Sequence, residues 1–270
     1  MSSVLSVAAV QLKSTGDVED NLSRTKQWVE RAADAGARLV ALPENFGFLG
    51  PEAEKLKYAA PLEDSFFLEP LRPVAAQRKL VIVAGGVPET SADPNRAYNT
   101  AVLILPDGSL GAAYRKIHLF DVDLADGTKL MESEAVIPGD EPVVAEVDGW
   151  KVGLSICYDV RFPELYRQLV ASGAEIIMVP AAFTLHTGKD HWDVLLRARA
   201  IENQCFVVAP AQFGHHGRRR ASWGKAQVVD PWGTVLSLVP EREGLALAQL
   251  ERDDLERVRK QLPSLTHRRL

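Results

Sequence analysis

GARLVALP, residues 36–43, opens on a glycine, runs through almost wholly apolar residues and stops at a proline. A short apolar run bounded in this way reads as a strand whose two faces are both covered. The same vocabulary returns as GAEIIMVP at 173–180, and VLILPDGSL at 102–110 returns as VVDPWGTVL at 228–236. Both echoes follow if the chain is built from two related halves, although strand and turn physics alone restrict the vocabulary enough to produce short likenesses. The preferred reading is one integrated domain over 1–270 with approximate internal symmetry, its segment from about 250 to 270 packing at an interface.

Outward from these runs, strands and helices largely alternate. LSVAAVQ (5–11) is a strand, and the rhythm of 22–36 predicts a helix capped by Asp20 or Asn21 and ended by Gly36. A second helix is expected over 64–79, then the strand LVIVAGG (80–86). AYNTAVLIL (97–105), a Pro106-Asp107-Gly108 turn and SLGAAYRK (109–116) form a hairpin. Residues 117–142 are polar and turn-rich. Later come VVAEV (143–147), KVGLSI (151–156), helices over 163–172 and 189–202, a strand CFVVAPAQ (205–212) and a closing helix DDLERVRKQL (253–262). Helical crossovers mixed with hairpins predict an α/β protein with two packed mixed sheets flanked by helices rather than one doubly wound sheet. No GxGxxG follows the first strand and no GxxxxGK[ST] occurs, so nucleotide binding has no motif support.

Composition narrows the class further. Lys and Arg number 31 against 36 Asp and Glu, a net charge of −5, which gives no electrostatic reason to expect nucleic acid or an anionic membrane as partner. HHGRRR (215–220) is the one compact basic cluster. The two cysteines lie in strand-like apolar settings, which favours free thiols and a reducing compartment. MSSVLSVAAVQLK has no basic leader before its apolar run, and that run is too short to span a bilayer; a cytoplasmic location is expected.

Glu44 follows RLVALP, Lys116 follows GAAYR and Cys157 follows VGLSI. In α/β architectures ligands gather beyond the carboxyl ends of strands, so these three side chains are candidates to meet. The thiolate is the nucleophile, and a carboxylate can take its proton; a lysine offsets the repulsion between the anions and donates to a developing oxyanion. Each residue also has a plainer role: Cys157 as a small buried hydrophobe, Glu44 in a cap or ion pair, Lys116 at a solvated strand end. Cys205, with no polar turn after it, keeps the plainer one. His118, His186 and His191 offer a rival Cys-His arrangement, but no spacing matches a zinc or cysteine-protease signature, and no metal or cofactor is assigned.

LPENF (42–46), YRKIHLFD (114–121) and GLSICYDVRFPELYR (153–167) resemble the three signature regions of the carbon-nitrogen hydrolase, or nitrilase, superfamily. The likeness continues through PGDEP, HTGKDHWDVLLRARAIENQCFVVAPAQFG, RASWGKAQVVDPWGTVL and RKQLPSLTHRR, and is strongest to the Nit branch. It implies an alpha-beta-beta-alpha four-layer sandwich and a homodimer or dimer-based assembly. It also implies Glu44 as general base, Lys116 as support for the tetrahedral intermediate, Cys157 as nucleophile and Glu132 as a second glutamate, with Glu134 as the neighbouring alternative. The implied reaction is cysteine-dependent hydrolysis of the amide of deaminated glutathione, releasing ammonia or the corresponding fragment. The alternatives are ω-amides such as α-ketoglutaramate and α-ketosuccinamate, another carbon-nitrogen substrate, or a non-catalytic interaction protein. For a substrate carrying carboxylates, the expected pocket residues are Tyr158, Arg161, Phe183, Thr184 and Thr187, with Arg218, Arg219 and Arg220 as an anion-attracting run. Lys189-Asp190 departs from the branch's TGxAHW form, at a helix entrance or a selectivity element.

Overall fold

A computed structural model describes residues 3–123, 129–217 and 220–269. Its first sheet runs, edge to edge, through Arg220–Trp223, Ala211–His216, Val4–Leu12, Leu39–Ala41, Val81–Thr90, Ala97–Ile104 and Leu110–Arg115, and Gly244–Glu251 also pairs with Val4–Leu12. The second runs through Val235–Leu238, Gln227–Val229, Phe206–Ala209, Ile176–Met178, Trp150–Leu154 and Val143–Val147. Both sheets are mixed. Leu39–Ala41 lies between two parallel neighbours and so does Ile176–Met178, each buried throughout. The echoed PDG and PWG turns join antiparallel neighbours in the two sheets, with Gly108 (φ 83°) and Gly233 (φ 89°) in the left-handed conformation that such turns demand. Five consecutive strands of one sheet thus correspond to five of the other, which is the internal symmetry that the repeated runs encode.

Strand alternation builds the layers. Along Val4–Leu12, Leu5, Val7 and Ala9 enter the core shared with Trp150, Leu154 and Val207 of the second sheet. Ala8, Val10 and Leu12 face the opposite way, onto Val18, Leu22 and Val29 of the helix Val18–Asp34 and Val74 of Arg72–Arg78. Leu165, Leu169 and Leu196 of the helices Pro163–Ala171 and Leu185–Asn203 join the core of the second sheet. The order is therefore helix, sheet, sheet, helix.

Several boundaries differ from expectation for identifiable reasons. The first helix starts at Val18 because the Asp17 side chain caps it, accepting from the Asp20 amide at 3.1 Å. Asn21 is instead buried, donating to the carbonyls of Thr15 (2.8 Å) and Gly47 (3.0 Å). The helix expected over 64–79 contracts to Arg72–Arg78, since Pro70 and Pro73 leave no amides to continue a helical ladder upstream. The helix expected from 189 begins at Leu185. CFVVAPAQ divides at Pro210, leaving Phe206–Ala209 in the second sheet and sending Ala211–His216 into the first. Within the polar middle, Asp121–Asp123 pairs with Lys129–Met131 as a short ribbon ahead of a 3-10 turn at Glu132–Glu134. Among the described residues no helix is long and apolar enough to cross a membrane.

Candidate active site

The strand Trp150–Leu154 delivers Cys157 to the site through a sharp turn. Ser155 is pinned by its amide and hydroxyl to the Met178 carbonyl (3.2 and 2.7 Å), and the Cys157 amide donates to the Pro180 carbonyl at 2.8 Å. Cys157 itself takes φ 50°, the left-handed region that a non-glycine residue enters at a cost of about 1–3 kcal/mol. Asp159 holds this conformation. Its fully buried carboxylate accepts from the Ile156 amide (2.8 Å), the Tyr114 hydroxyl (2.7 Å), and the His118 amide and Nδ1 (3.0 and 2.7 Å). His118 stacks on Phe162 with centroids 3.7 Å apart. One carboxylate therefore ties the nucleophile's turn to the segment that carries Lys116.

Glu44 stands just past the end of Leu39–Ala41 and is 3% exposed. The Lys116 ammonium donates to Glu44 Oε1 at 2.9 Å and to both oxygens of Glu132 at 2.9 and 2.8 Å. Asn99 Nδ2 bridges the same two carboxylates at 3.0 and 3.3 Å, and the Phe120 amide donates to Glu132 at 2.7 Å. The Ala182 amide donates to Glu44 Oε2 at 3.1 Å and also faces the sulfur of Cys157. A bulge at Gly85-Gly86 makes the room: a Cβ on Gly86 would come within 2.6 Å of Asn99 Oδ1, and one on Gly85 within 2.3 Å of the Leu42 carbonyl.

These contacts fix the resting protonation states. Burial pushes the Glu44 carboxyl up, but the Lys116 charge and hydrogen bond, Lys55 and the Cys157 hydrogen bond outweigh it and hold the group at about 2. Burial would lower the Lys116 ammonium, yet the charges of Glu132 and Glu44 keep it well above its usual range. Burial and the Glu44 charge push the Cys157 thiol well up, against the opposing pull of Lys116. At rest Cys157 is a thiol, Lys116 an ammonium and Glu44 a carboxylate.

The cluster opens into a cleft of about 560 Å³ whose walls include Glu44, Lys116, Glu132 and Cys157. Of the other expected residues, Tyr158, Phe183, Thr184, Thr187 and Arg220 line it. Arg161 lies behind that wall, its guanidinium 5.8 Å from the Tyr158 ring centroid and 5.0 Å from that of Phe183, with Nη1 3.2 Å from His191 Nδ1. Glu134 is exposed, and Lys189 and Asp190 are exposed on the helix behind Thr187. Arg218 and Arg219 fall outside the described residues. The rival histidines go elsewhere: His118 to Asp159, His191 to Arg161. Among the described residues no group of three His, Cys, Asp or Glu side chains is placed to hold a metal ion. Sequence reasoning missed Asn99, Asn45, Lys55 and Glu52 in the cleft region, and Asp159 behind it. The polar Asn99-Thr100 pair inside an apolar strand was the available signal for Asn99, and the Cys-Tyr-Asp run for Asp159.

Residues 6–260 match the carbon-nitrogen hydrolase family. The chain belongs to that family. A deaminated glutathione amidase of Synechocystis sp. is 49% identical over 265 residues, covering 97% of each chain. The crystal structure of the Caenorhabditis elegans NitFhit protein superposes with a TM-score of 0.93 at 39% identity, over 99% of this chain and 66% of that one. Saccharomyces cerevisiae Nit3, a nitrilase-superfamily member of branch 10, gives 0.88 at 33% identity over 97% of this chain and 96% of its own. This carbon-nitrogen hydrolase therefore has the α-β-β-α fold of its relatives along its whole described length.

Proposed function

We propose that the chain is a thiol amidohydrolase that cleaves the amide of deaminated glutathione through a Cys157 thioester. The observation that carries the reading is the Lys116 ammonium, held at 2.8–2.9 Å between Glu44 and Glu132 on the wall of the cleft that Cys157 also lines. The name borne by relatives at 49% identity supports the substrate. As sulfur attacks the amide carbon, Glu44 takes the thiol proton while the carbonyl oxygen gains the negative charge. Net charge in the buried cluster stays constant, so no extra burial penalty is incurred. Lys116 and the Tyr158 amide, second in the 3-10 segment Cys157–Arg161 and with no carbonyl three residues back within it, are the donors for that oxygen. Glu44 then gives the proton to the departing nitrogen. In deaminated glutathione that nitrogen belongs to a dipeptide; in α-ketoglutaramate it leaves as ammonia. Water, deprotonated by Glu44, attacks the thioester, a carboxylic acid is released, and the proton returns to sulfur. Glu132 keeps the Lys116 ammonium in register. We also read the working form as a homodimer, or an assembly built from dimers.

Steady-state kinetics on deaminated glutathione, α-ketoglutaramate, a simple nitrile and an N-carbamoyl amine test the substrate, with Cys157→Ala as control. The expected outcome is highest kcat/KM on deaminated glutathione, no turnover by the control, and an acyl-enzyme mass seen only with Cys157 present. Preference for α-ketoglutaramate would make it an ω-amidase; preference for either of the last two would overturn the amidase reading.

A further inference from the structure

Beside the catalytic cluster the same cleft contains a second set of charges that the reaction does not use. Lys55 is buried at 8% exposure, and its ammonium donates to Asn45 Oδ1 at 2.9 Å and pairs with Glu52 Oε2 at 2.8 Å. An ammonium has three donors, so one remains after these two. Arg220 reaches Glu52 Oε1 only through a long 3.4 Å contact from Nη1, and its Nε is buried with no acceptor among the described residues. A buried guanidinium donor without an acceptor is costly, and a carboxylate is the acceptor whose planar shape suits it. Charge counting agrees. Glu44, Lys116 and Glu132 sum to −1, whereas Lys55, Glu52 and Arg220 sum to +1 in the same cleft. The cleft as a whole is neutral, with its positive end at Lys55 and Arg220, the end to which an anion is drawn.

We infer that Lys55 and Arg220, spaced by Glu52, form a subsite that receives a carboxylate of the substrate and selects anionic amides over neutral ones. Resting on the amidase reading above, this assigns specificity to residues outside the three family signatures. Asn45 connects the subsite to the chemistry: it is the next residue after Glu44, it takes φ 61°, and its side chain fixes the Lys55 ammonium. Glu52 acts as an internal competitor, occupying part of the donor set that the ligand needs.

The test compares kcat/KM for α-ketoglutaramate with that for its methyl ester, in wild type, Lys55→Met, Arg220→Met and Glu52→Gln. Because Lys55 also faces Glu44, the readout is the acid-over-ester ratio rather than either rate alone. The ratio is expected to fall at least tenfold in Lys55→Met and Arg220→Met and to rise several-fold in Glu52→Gln, through KM. Deaminated glutathione, run in parallel, identifies the carboxylate. A rise in KM for both substrates in Lys55→Met assigns the keto-acid carboxylate, and a rise only for the longer one, with an unchanged ratio on the short one, assigns its glycyl end. Equal losses on acid and ester without a selective rise in KM for deaminated glutathione, or KM values unchanged for both anionic substrates, would overturn the subsite. Turnover of α-ketoglutaramate without turnover of deaminated glutathione would instead sink the substrate reading and leave the ratio test intact. Should wild type cleave none of these amides, calorimetric binding of glutarate reads the same subsite: tighter in Glu52→Gln supports it, unchanged overturns it. Glu52→Gln removes no cation and keeps the test readable if Lys55→Met does not fold.

Discussion

At the scale of single residues, the charge on Glu44 decides how the site behaves with pH. A carboxyl held at about 2 in the folded chain, against 4.5 unfolded, is ionised throughout the neutral range. Its folded value is depressed, so the stability it contributes is complete above 4.5 and is lost as pH falls toward 2. The difference amounts to about 3 kcal/mol, an order-of-magnitude figure at 1.36 kcal/mol per unit. Urea unfolding of the wild type between pH 6 and 2.5 should show this loss, and Glu44→Gln should show a visibly shallower acid slope. Parallel slopes for the two proteins would mean that another carboxylate governs the acid limb. The raised Cys157 thiol belongs to the same economy: the proton stays on sulfur until an acceptor oxygen arrives for the displaced charge beside Lys116.

At the scale of elements, the turn between Trp150–Leu154 and Pro163–Ala171 stores strain at Cys157, and Asp159 offsets it with four accepted hydrogen bonds. Asp159→Asn is close in size but presents an amide NH2 where a carboxylate oxygen accepted. At least one buried donor then faces another donor, which costs about 1–3 kcal/mol. We expect a lowered Tm and, well below that Tm, a kcat reduced at least tenfold with KM changed less than threefold, because the turn and the Lys116 segment lose their common anchor. A variant that is destabilised yet keeps full kcat at low temperature would show that Asp159 only supports the fold. Cys157, Asp159 and Lys116 also illustrate what local sequence conveys: the apolar run into Ile156 announces a strand end, but nothing local says that Tyr114 and His118 reach across to Asp159.

At the scale of the whole molecule, the two echoed halves place a parallel-flanked strand at the centre of each sheet, and the cleft draws on both halves. Glu44 comes from the first sheet's central strand, Lys116 from beyond its edge strand, and Cys157 from the second sheet. The outside is less completely covered. Val194 (65% exposed), Ile201 (46%) and Trp232 (57%) present apolar surface, and Arg197 Nε donates to the Gly233 carbonyl at 2.8 Å, joining the helix Leu185–Asn203 to the Pro231-Trp232-Gly233 turn. The C-terminal segment adjoins this surface through the Gln204 side chain, which donates to the Leu262 carbonyl. For the homodimer proposed above, this patch is the face we propose. Light scattering should give twice the chain mass or an even multiple of it, and Val194→Glu should lower it; a wild-type monomer at micromolar concentration would remove the assignment.

The sequence by itself determined the succession of strands and helices along the chain, the approximate internal symmetry, and the positions of Glu44, Lys116 and Cys157 at strand ends, because burial writes apolar runs and turns write glycine and proline. The resemblance added Glu132, which no periodicity would have singled out. Only the tertiary structure decided that CFVVAPAQ divides between two sheets at Pro210, that Asn99 bridges two carboxylates, and that Lys55, Glu52 and Arg220 share a cleft with the nucleophile. The Asn99 bridge and the Arg220–Glu52 contact join residues 33 to 168 positions apart. Backbone propensity and hydrophobic period act over a few residues, whereas a hydrogen bond across two sheets exists only once both have packed.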